Sequence, residues 1–231
     1  MRRKIRGTSA FTTFVLVVVV SAALQAHAQD TKTPYPSMAS LDQYLMERNA
    51  EIALARTAAP ESISRDAEVM VLGRHGYETS VKGKNGFVCM VWRSWAARID
   101  DPDSGNPKLR APVCFKAPAA RFNVPLLAGR SKSQMFADIS TTFDKEFPPL
   151  EPGAMCYMLS DEGYLNGRDG HWRPHLMFFV PLTEPASWGA GFPGAPVVVA
   201  FTDIPERHTV FLIAVAKWSD VRQPRGMSTD A

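Results

Sequence analysis

The sequence predicts an α+β class domain, a largely antiparallel, bent β-sheet flanked by a few helices. Three observations lead there. Several runs are apolar at consecutive positions, Met177 to Val180 and Val210 to Val215 among them, as expected of strands covered on both faces. Only two stretches carry apolar residues at helical spacing. The strand-like runs are joined by short connections with few crossover helices, which favours antiparallel pairing.

The first helix is expected over residues 40–58. Ser40 and Gln43 form a capping-box pattern, and Leu41, Tyr44, Leu45, Ile52 and Ala55 fall near one helical face before Pro60. Strands are expected at 68–73, 77–82 and 87–95. The last two flank Gly83-Lys84-Asn85-Gly86, whose Asn-Gly pair suits a tight hairpin turn. Pro112 to Phe115 is also strand-like. A second helix is expected over 132–147, where Ser131 to Gln134 repeats the capping signature and Met135, Phe136, Ile139, Phe143 and Phe147 follow at spacings of three and four. Strands are then expected at 154–160, 175–181, 196–202 and 208–218.

The N-terminus has a different character. Arg2, Arg3, Lys4 and Arg6 precede an apolar run from Phe14 to Val20, and Ala26-His27-Ala28 gives a small-x-small cleavage site before Gln29. This is the pattern of a secretory signal peptide over residues 1–28. The apolar run is short of the roughly 20 residues that cross a bilayer. Arg2-Arg3 also invites a twin-arginine reading, but the strongly apolar run favours the ordinary secretory route. Residues 29–39 and 223–231 are expected to be flexible ends around one domain at 40–222. The expected location is the periplasm or the exterior.

Export changes the meaning of the charge. The chain has 26 basic and 23 acidic residues, a net +3. Four of the basic residues and no acidic ones lie in the leader, so 22 face 23 once it is removed. No basic excess then remains to suggest nucleic acid as a partner. Cys89, Cys114 and Cys156 would meet an oxidising compartment. An odd count allows one bridge and one thiol left over. Cys89–Cys114 is the favoured pair, because both lie in strand-like runs flanking a turn-rich segment. Closing that loop would contribute about 3 kcal/mol in the chain-entropy picture.

The chemistry-bearing residues are sparse. Val71-Leu72-Gly73-Arg74-His75-Gly76 resembles the strand entering the Arg-His-Gly motif of the histidine phosphatase superfamily. The resemblance implies His75 as a phosphoryl acceptor, a role that needs converging positive charge, and Arg74 and Glu78 are candidates to assist a hydrolase built on His75, His171 or His175. It spans about six residues, and no later His stands in the family's second-histidine setting. A polar turn at a strand end is the plainer reading. His171 and His175 are four apart, a metal-like spacing on a helix. Gly170 and Pro174 oppose a helix there, and on a strand the rings would stand about 13 Å apart. No metal and no cofactor are therefore expected, although His75 or His208 could supply a third ligand if a turn intervened. Asp101 to Asn106 departs from calcium-loop spacing, and Cys156 lacks a visible base. Tyr164, Trp172 and Trp188 are candidates to line an apolar ligand cleft.

The stretches Glu151 to Ser160 and Gly170 to Pro181 resemble exported bacterial proteins described only as hypothetical. The resemblance extends over most of the mature chain and implies a periplasmic setting. It carries no activity, cofactor or catalytic residue. Three functions stay open from the residues: a ligand-binding or accessory protein of the cell envelope, a small hydrolase using His75, His171 and His175, or an envelope protein without a small-molecule site. The partner would be a small molecule or an envelope protein.

Overall fold

The computed structural model describes residues 39–96, 105–132, 150–166, 170–201, 208–216 and 219. All of them belong to one compact unit, Lys32–Ala231. The expected leader, the helix expected over 132–147 (beyond its first residue) and the flexible C-terminal end lie outside the described residues.

The α+β class is as expected. Among the described residues, three α-helices, α1 (Arg48–Arg56), α2 (Glu61–Ser64) and α3 (Ala117–Lys132), accompany ten strands. Eight strands form one open sheet in the order β2-β1-β3-β4-β5-β8-β10-β9. These are β1 (Glu68–Gly73), β2 (Gly76–Val81), β3 (Phe87–Trp92), β4 (Ala111–Lys116), β5 (Met155–Met158), β8 (His175–Pro181), β9 (Val197–Phe201) and β10 (His208–Ala214). Two short strands, β6 (Tyr164–Asn166) and β7 (Gly170–His171), form a separate pair. The sheet is mixed, because β1 runs parallel to β3 while every other neighbouring pair in it is antiparallel.

That parallel contact corrects the hairpin expected at Gly83–Gly86. β2 and β3 do not pair, because β1 lies between them. The tight hairpin is instead β1–β2, with Gly73 opposite Gly76 and Arg74-His75 as its two-residue tip. Gly76 has φ 107°, a conformation that costs a glycine little. The segment after β2 then crosses beneath the start of β1. A Cβ on Gly83 would stand 2.2 Å from the Glu68 backbone nitrogen, so this crossing requires glycine. The Lys84 N–H donates to the Asp66 carbonyl at 2.8 Å and holds the crossing in place.

The first helix is also shorter than the spacing predicts. Leu41–Gln43 form one 3-10 turn and α1 begins only at Arg48. The cap is Glu47, whose carboxylate accepts from the Asn49 and Ala50 amides, whereas Ser40 makes no such bond. A charge-assisted cap of this kind fixes a helix start more strongly than a hydroxyl can. Strand β3 stops at Trp92, where Ser94–Ala96 turn into a 3-10 helix, and β10 ends at Ala214.

The two faces of the sheet carry separate cores. One holds Met90, Val113, Phe115, Cys156, Met158, Met177, Phe179 and Val210 against Ala119 and Ala120 of α3. The other holds Val69, Cys89, Val91 and Cys114 against Leu54, Ala55 and Ala58 from α1 and its C-terminal extension. Strict alternation along the strands produces this division. Small residues on both helices let them approach the sheet closely. Among the described residues no helix is long and apolar enough to cross a membrane.

Candidate functional site

Arg74, His75 and Glu78 belong to the β1–β2 hairpin. Arg74 and His75 are exposed at its tip. The Arg74 guanidinium lies 3.0 Å from the Asp42 carboxylate, and Glu78 lies 2.7 Å from Arg48. Arg74 and Glu78 are thus drawn into two separate surface ion pairs, which tie the hairpin to the N-terminal turn and to α1. Such exposed pairs contribute little individually.

His171 and His175 stand at different levels of the structure. His171 is exposed on β7, opposite Tyr164, with the ring centroids 6.2 Å apart. His175 is buried at the start of β8, and its Nδ1–H donates to the Arg173 carbonyl at 2.7 Å. Burial lowers its pKa, partly opposed by that hydrogen bond. Trp172 meets the His175 ring edge-on at 5.7 Å. Its indole lies against Gly163, where a Cβ would come within 2.5 Å of Nε1. Tyr164 and Trp172 therefore pack along the junction of β6, β7 and the main sheet. A bridge between Arg110 and Tyr164 secures that junction. Among the described residues no group of three His, Cys, Asp or Glu side chains could hold a metal ion.

Trp188 is separate from both. It stacks on Phe211 at 4.8 Å with an 18° interplanar angle. Phe211 pairs with Phe178, whereas Trp172 packs with the core that includes Met177 and Phe179. By alternation, Trp188 and Trp172 occupy opposite faces, so the three aromatics do not line one cleft. Trp188 instead sits in the connection between β8 and β9 and is 42% exposed, with Leu182 and Phe192 of the same connection at 53% and 59%.

The cysteines pair as expected. Cys89 and Cys114 are directly opposite one another on β3 and β4 and form a disulfide. Cys156 is a buried thiol, and burial raises its pKa. That is the reverse of what a nucleophilic thiolate needs.

One group of charged residues was invisible in the sequence. Arg93 Nη2 lies 2.9 Å from Glu51 Oε1, with side-chain exposures of 0% and 1%. Arg93 also donates through Nε to the Tyr44 carbonyl at 3.0 Å and through Nη1 to the Val91 carbonyl at 2.7 Å. Glu51 Oε1 accepts the Leu72 N–H at 3.1 Å, while Oε2 is buried with no hydrogen-bond partner. Burial raises the Glu51 pKa and the Arg93 charge opposes the rise. Tyr77 donates to the Val91 carbonyl at 2.8 Å, and Trp95 packs edge-on against both Tyr44 and Tyr77. The group joins α1, β1 and β3 and the chain around Tyr44. Apart from Glu51 Oε2, these polar contacts run to the Tyr44 and Val91 carbonyls, the Leu72 amide and between Glu51 and Arg93, and so clamp these segments together.

A cavity of about 220 Å³ lies between the Gly83–Gly86 crossing and the start of α3, with Glu68, Phe87, Ala117 and Arg121 among its lining. Arg121 is engaged by Glu151 through a two-pronged contact, Nε to Oε1 at 2.6 Å and Nη2 to Oε2. The chain matches no family model, no curated protein and no solved structure.

Proposed function

We propose that this chain is an exported binding or accessory protein of the cell envelope that engages its partner through the connection between β8 and β9. The observation carrying the proposal is the exposure of Leu182, Trp188 and Phe192 on that one segment. Three large apolar side chains held in one exposed connection are a costly use of surface unless something covers them. The leader pattern and the Cys89–Cys114 bridge support export. The engagement of Arg74 and Glu78 in separate surface ion pairs, with His75 exposed between them at the hairpin tip, weighs against a histidine-based hydrolase.

The test has two arms. Photocrosslinking in cells from a reactive residue at position 192 should give one discrete adduct, absent from the same residue at Thr79 on the opposite sheet edge. N-terminal sequencing of the protein recovered outside the cytoplasm should begin at Gln29. Phosphatase or esterase turnover that disappears in His75→Ala, with no adduct at 192, would replace this reading with the hydrolase.

A further inference from the structure

Asn85 and Gly86 end the crossing that carries the chain from β2 to β3, and both are exposed. Two bonds hold the Asn85 side chain. Its Nδ2 donates to the Ile63 carbonyl of α2 at 2.7 Å, and its Oδ1 accepts the Phe87 N–H at 3.1 Å. The second bond makes an Asx turn, in which the side chain folds back over the peptide that follows it. That peptide begins with the Gly86 nitrogen, so the side-chain carbonyl carbon Cγ is turned toward this atom. Gly86 has φ 75°, and among the described residues its N–H makes no hydrogen bond. A Cβ on Gly86 would meet only the Ala117 Cβ, at 3.8 Å, and Gly86 borders the cavity at the start of α3. The nitrogen is therefore uncommitted and open to water.

We propose that Asn85 is a self-modification site, which converts in the folded protein through a cyclic imide to an aspartyl or isoaspartyl residue. Solvent base removes the Gly86 amide proton, and the nitrogen attacks Cγ of Asn85. The new N–Cγ bond closes a five-membered ring. The Cγ–Nδ2 bond breaks, and Nδ2 leaves as ammonia after taking a proton from water. The Phe87 N–H on Oδ1 is placed to stabilise the oxyanion that develops during the attack. Water then opens the imide at either of its two carbonyls. The products carry a carboxylate and either an ordinary peptide link or one lengthened by a methylene. Water is the only co-reactant.

Other asparagines lack one part of this arrangement. Asn106 precedes Pro107, whose nitrogen has no proton to lose. Behind Asn49, the Ala50 N–H is already held by the Glu47 carboxylate. Asn123 is buried, and its Nδ2 is bonded to the Ala119 carbonyl within α3. Asn166 is followed by Gly167, which lies outside the described residues. Conversion at Asn85 has a structural consequence. The donor facing the Ile63 carbonyl is lost and a carboxylate stands against that carbonyl, an unfavourable exchange. The crossing is thereby released from α2, while the Lys84 bond to Asp66 remains. None of this depends on the partner proposed for the β8–β9 connection.

The test is incubation of the purified native protein in mildly alkaline buffer, then reduction and peptic digestion in acid. The peptide holding Asn85 should gain the mass that separates an acid from an amide and resolve into two chromatographic products. Peptides holding Asn49, Asn106 and Asn123 should stay unchanged. The rate should lie within severalfold of that in the urea-unfolded chain. Gly86→Ala, whose methyl shields the nitrogen, should slow it severalfold. Asn85→Asp should shift the urea midpoint downward. An unchanged peptide at 85, while the unfolded chain converts, overturns the proposal. So does a wild-type rate in Gly86→Ala, or equal conversion at Asn49 and Asn123. A single product would mean direct hydrolysis and overturn the imide route, and an unchanged midpoint in Asn85→Asp would overturn the release from α2. Alanine is strained at the φ of Gly86, so should that variant fail to fold, the native and unfolded rates still decide.

Discussion

Cys114 and Cys156 sit on neighbouring strands with their side chains on opposite faces of the sheet. Cys114 pairs in register with Tyr157, and Cys156 with Phe115. The bridged pair belongs to the core under α1 and the thiol to the core under α3. A thiolate at Cys156 has no path to the disulfide while the sheet is intact, and burial keeps that thiol protonated. Thiol counting should therefore find none reactive in the native protein and one per chain after denaturation without reductant. Three would show that the bridge does not form.

Replacing both bridged cysteines should lower stability substantially. The bridge closes a chain separation of 25 residues, and the chain-entropy relation gives about 3.5 kcal/mol for a loop of that length. Urea unfolding of Cys89→Ala/Cys114→Ala should show a lower midpoint with the native spectrum retained below it. A change under about 1 kcal/mol would mean that the reduced unfolded chain retains structure.

The Glu51–Arg93 pair should behave as a unit. Glu51→Leu alone leaves a guanidinium buried without its counter-charge, at a cost of about 3–5 kcal/mol. Glu51→Leu/Arg93→Met removes both charges, and it should recover at least half of that loss. The pH dependence has a definite sign. The Glu51 pKa is raised above 4.5 on folding, so its contribution is fully present below 4.5 and declines as pH rises through the raised value. The double variant should lack that decline. Strict additivity of the two single losses would disprove the coupling.

His175 should give the opposite slope. Its pKa is lowered from 6.5 by burial, so the unfolded chain binds the proton more readily. Its contribution to stability is present above 6.5 and is lost as pH falls from there through the lowered value. Chemical denaturation across that range should show the midpoint falling with acidity, and His175→Gln should flatten the fall. An unchanged slope in the variant would assign it to another group.

The sequence was most legible where one physical signal acted alone. Consecutive apolar residues located β8 and β10, and two strand-like runs around a turn-rich segment identified Cys89 and Cys114 as partners. It was misleading where a local signal met a non-local competitor. Asn85-Gly86 has good turn chemistry, but the Arg74-His75 tip closes the hairpin and β1 takes the place beside β3. Helix α3 is masked in the sequence by Pro118 and Pro125 within it and by its start directly after β4 without a loop. Glu51 and Arg93 carry no signal of burial in the sequence, because ionised side chains are rarely buried, and nothing in their spacing, 42 residues apart, announces that they meet. Trp188 is grouped with Tyr164 and Trp172 by residue type alone, and only the register of β8 and β10 shows that it lies on the other face from Trp172.

The parallel seam between β1 and β3 has just two register pairs, Glu68 with Val88 and Val69 with Cys89. Beyond them, named contacts holding the β1–β2 hairpin include the Glu51 bond to Leu72, the Tyr77 bond to Val91 and the Arg48–Glu78 pair. The hairpin is therefore expected to open as its own cooperative unit, ahead of the disulfide-linked strands beside it. Amide hydrogen exchange would reveal this as faster exchange at Leu72 than at Val113. Weakening the carboxylate at position 51 should widen the gap.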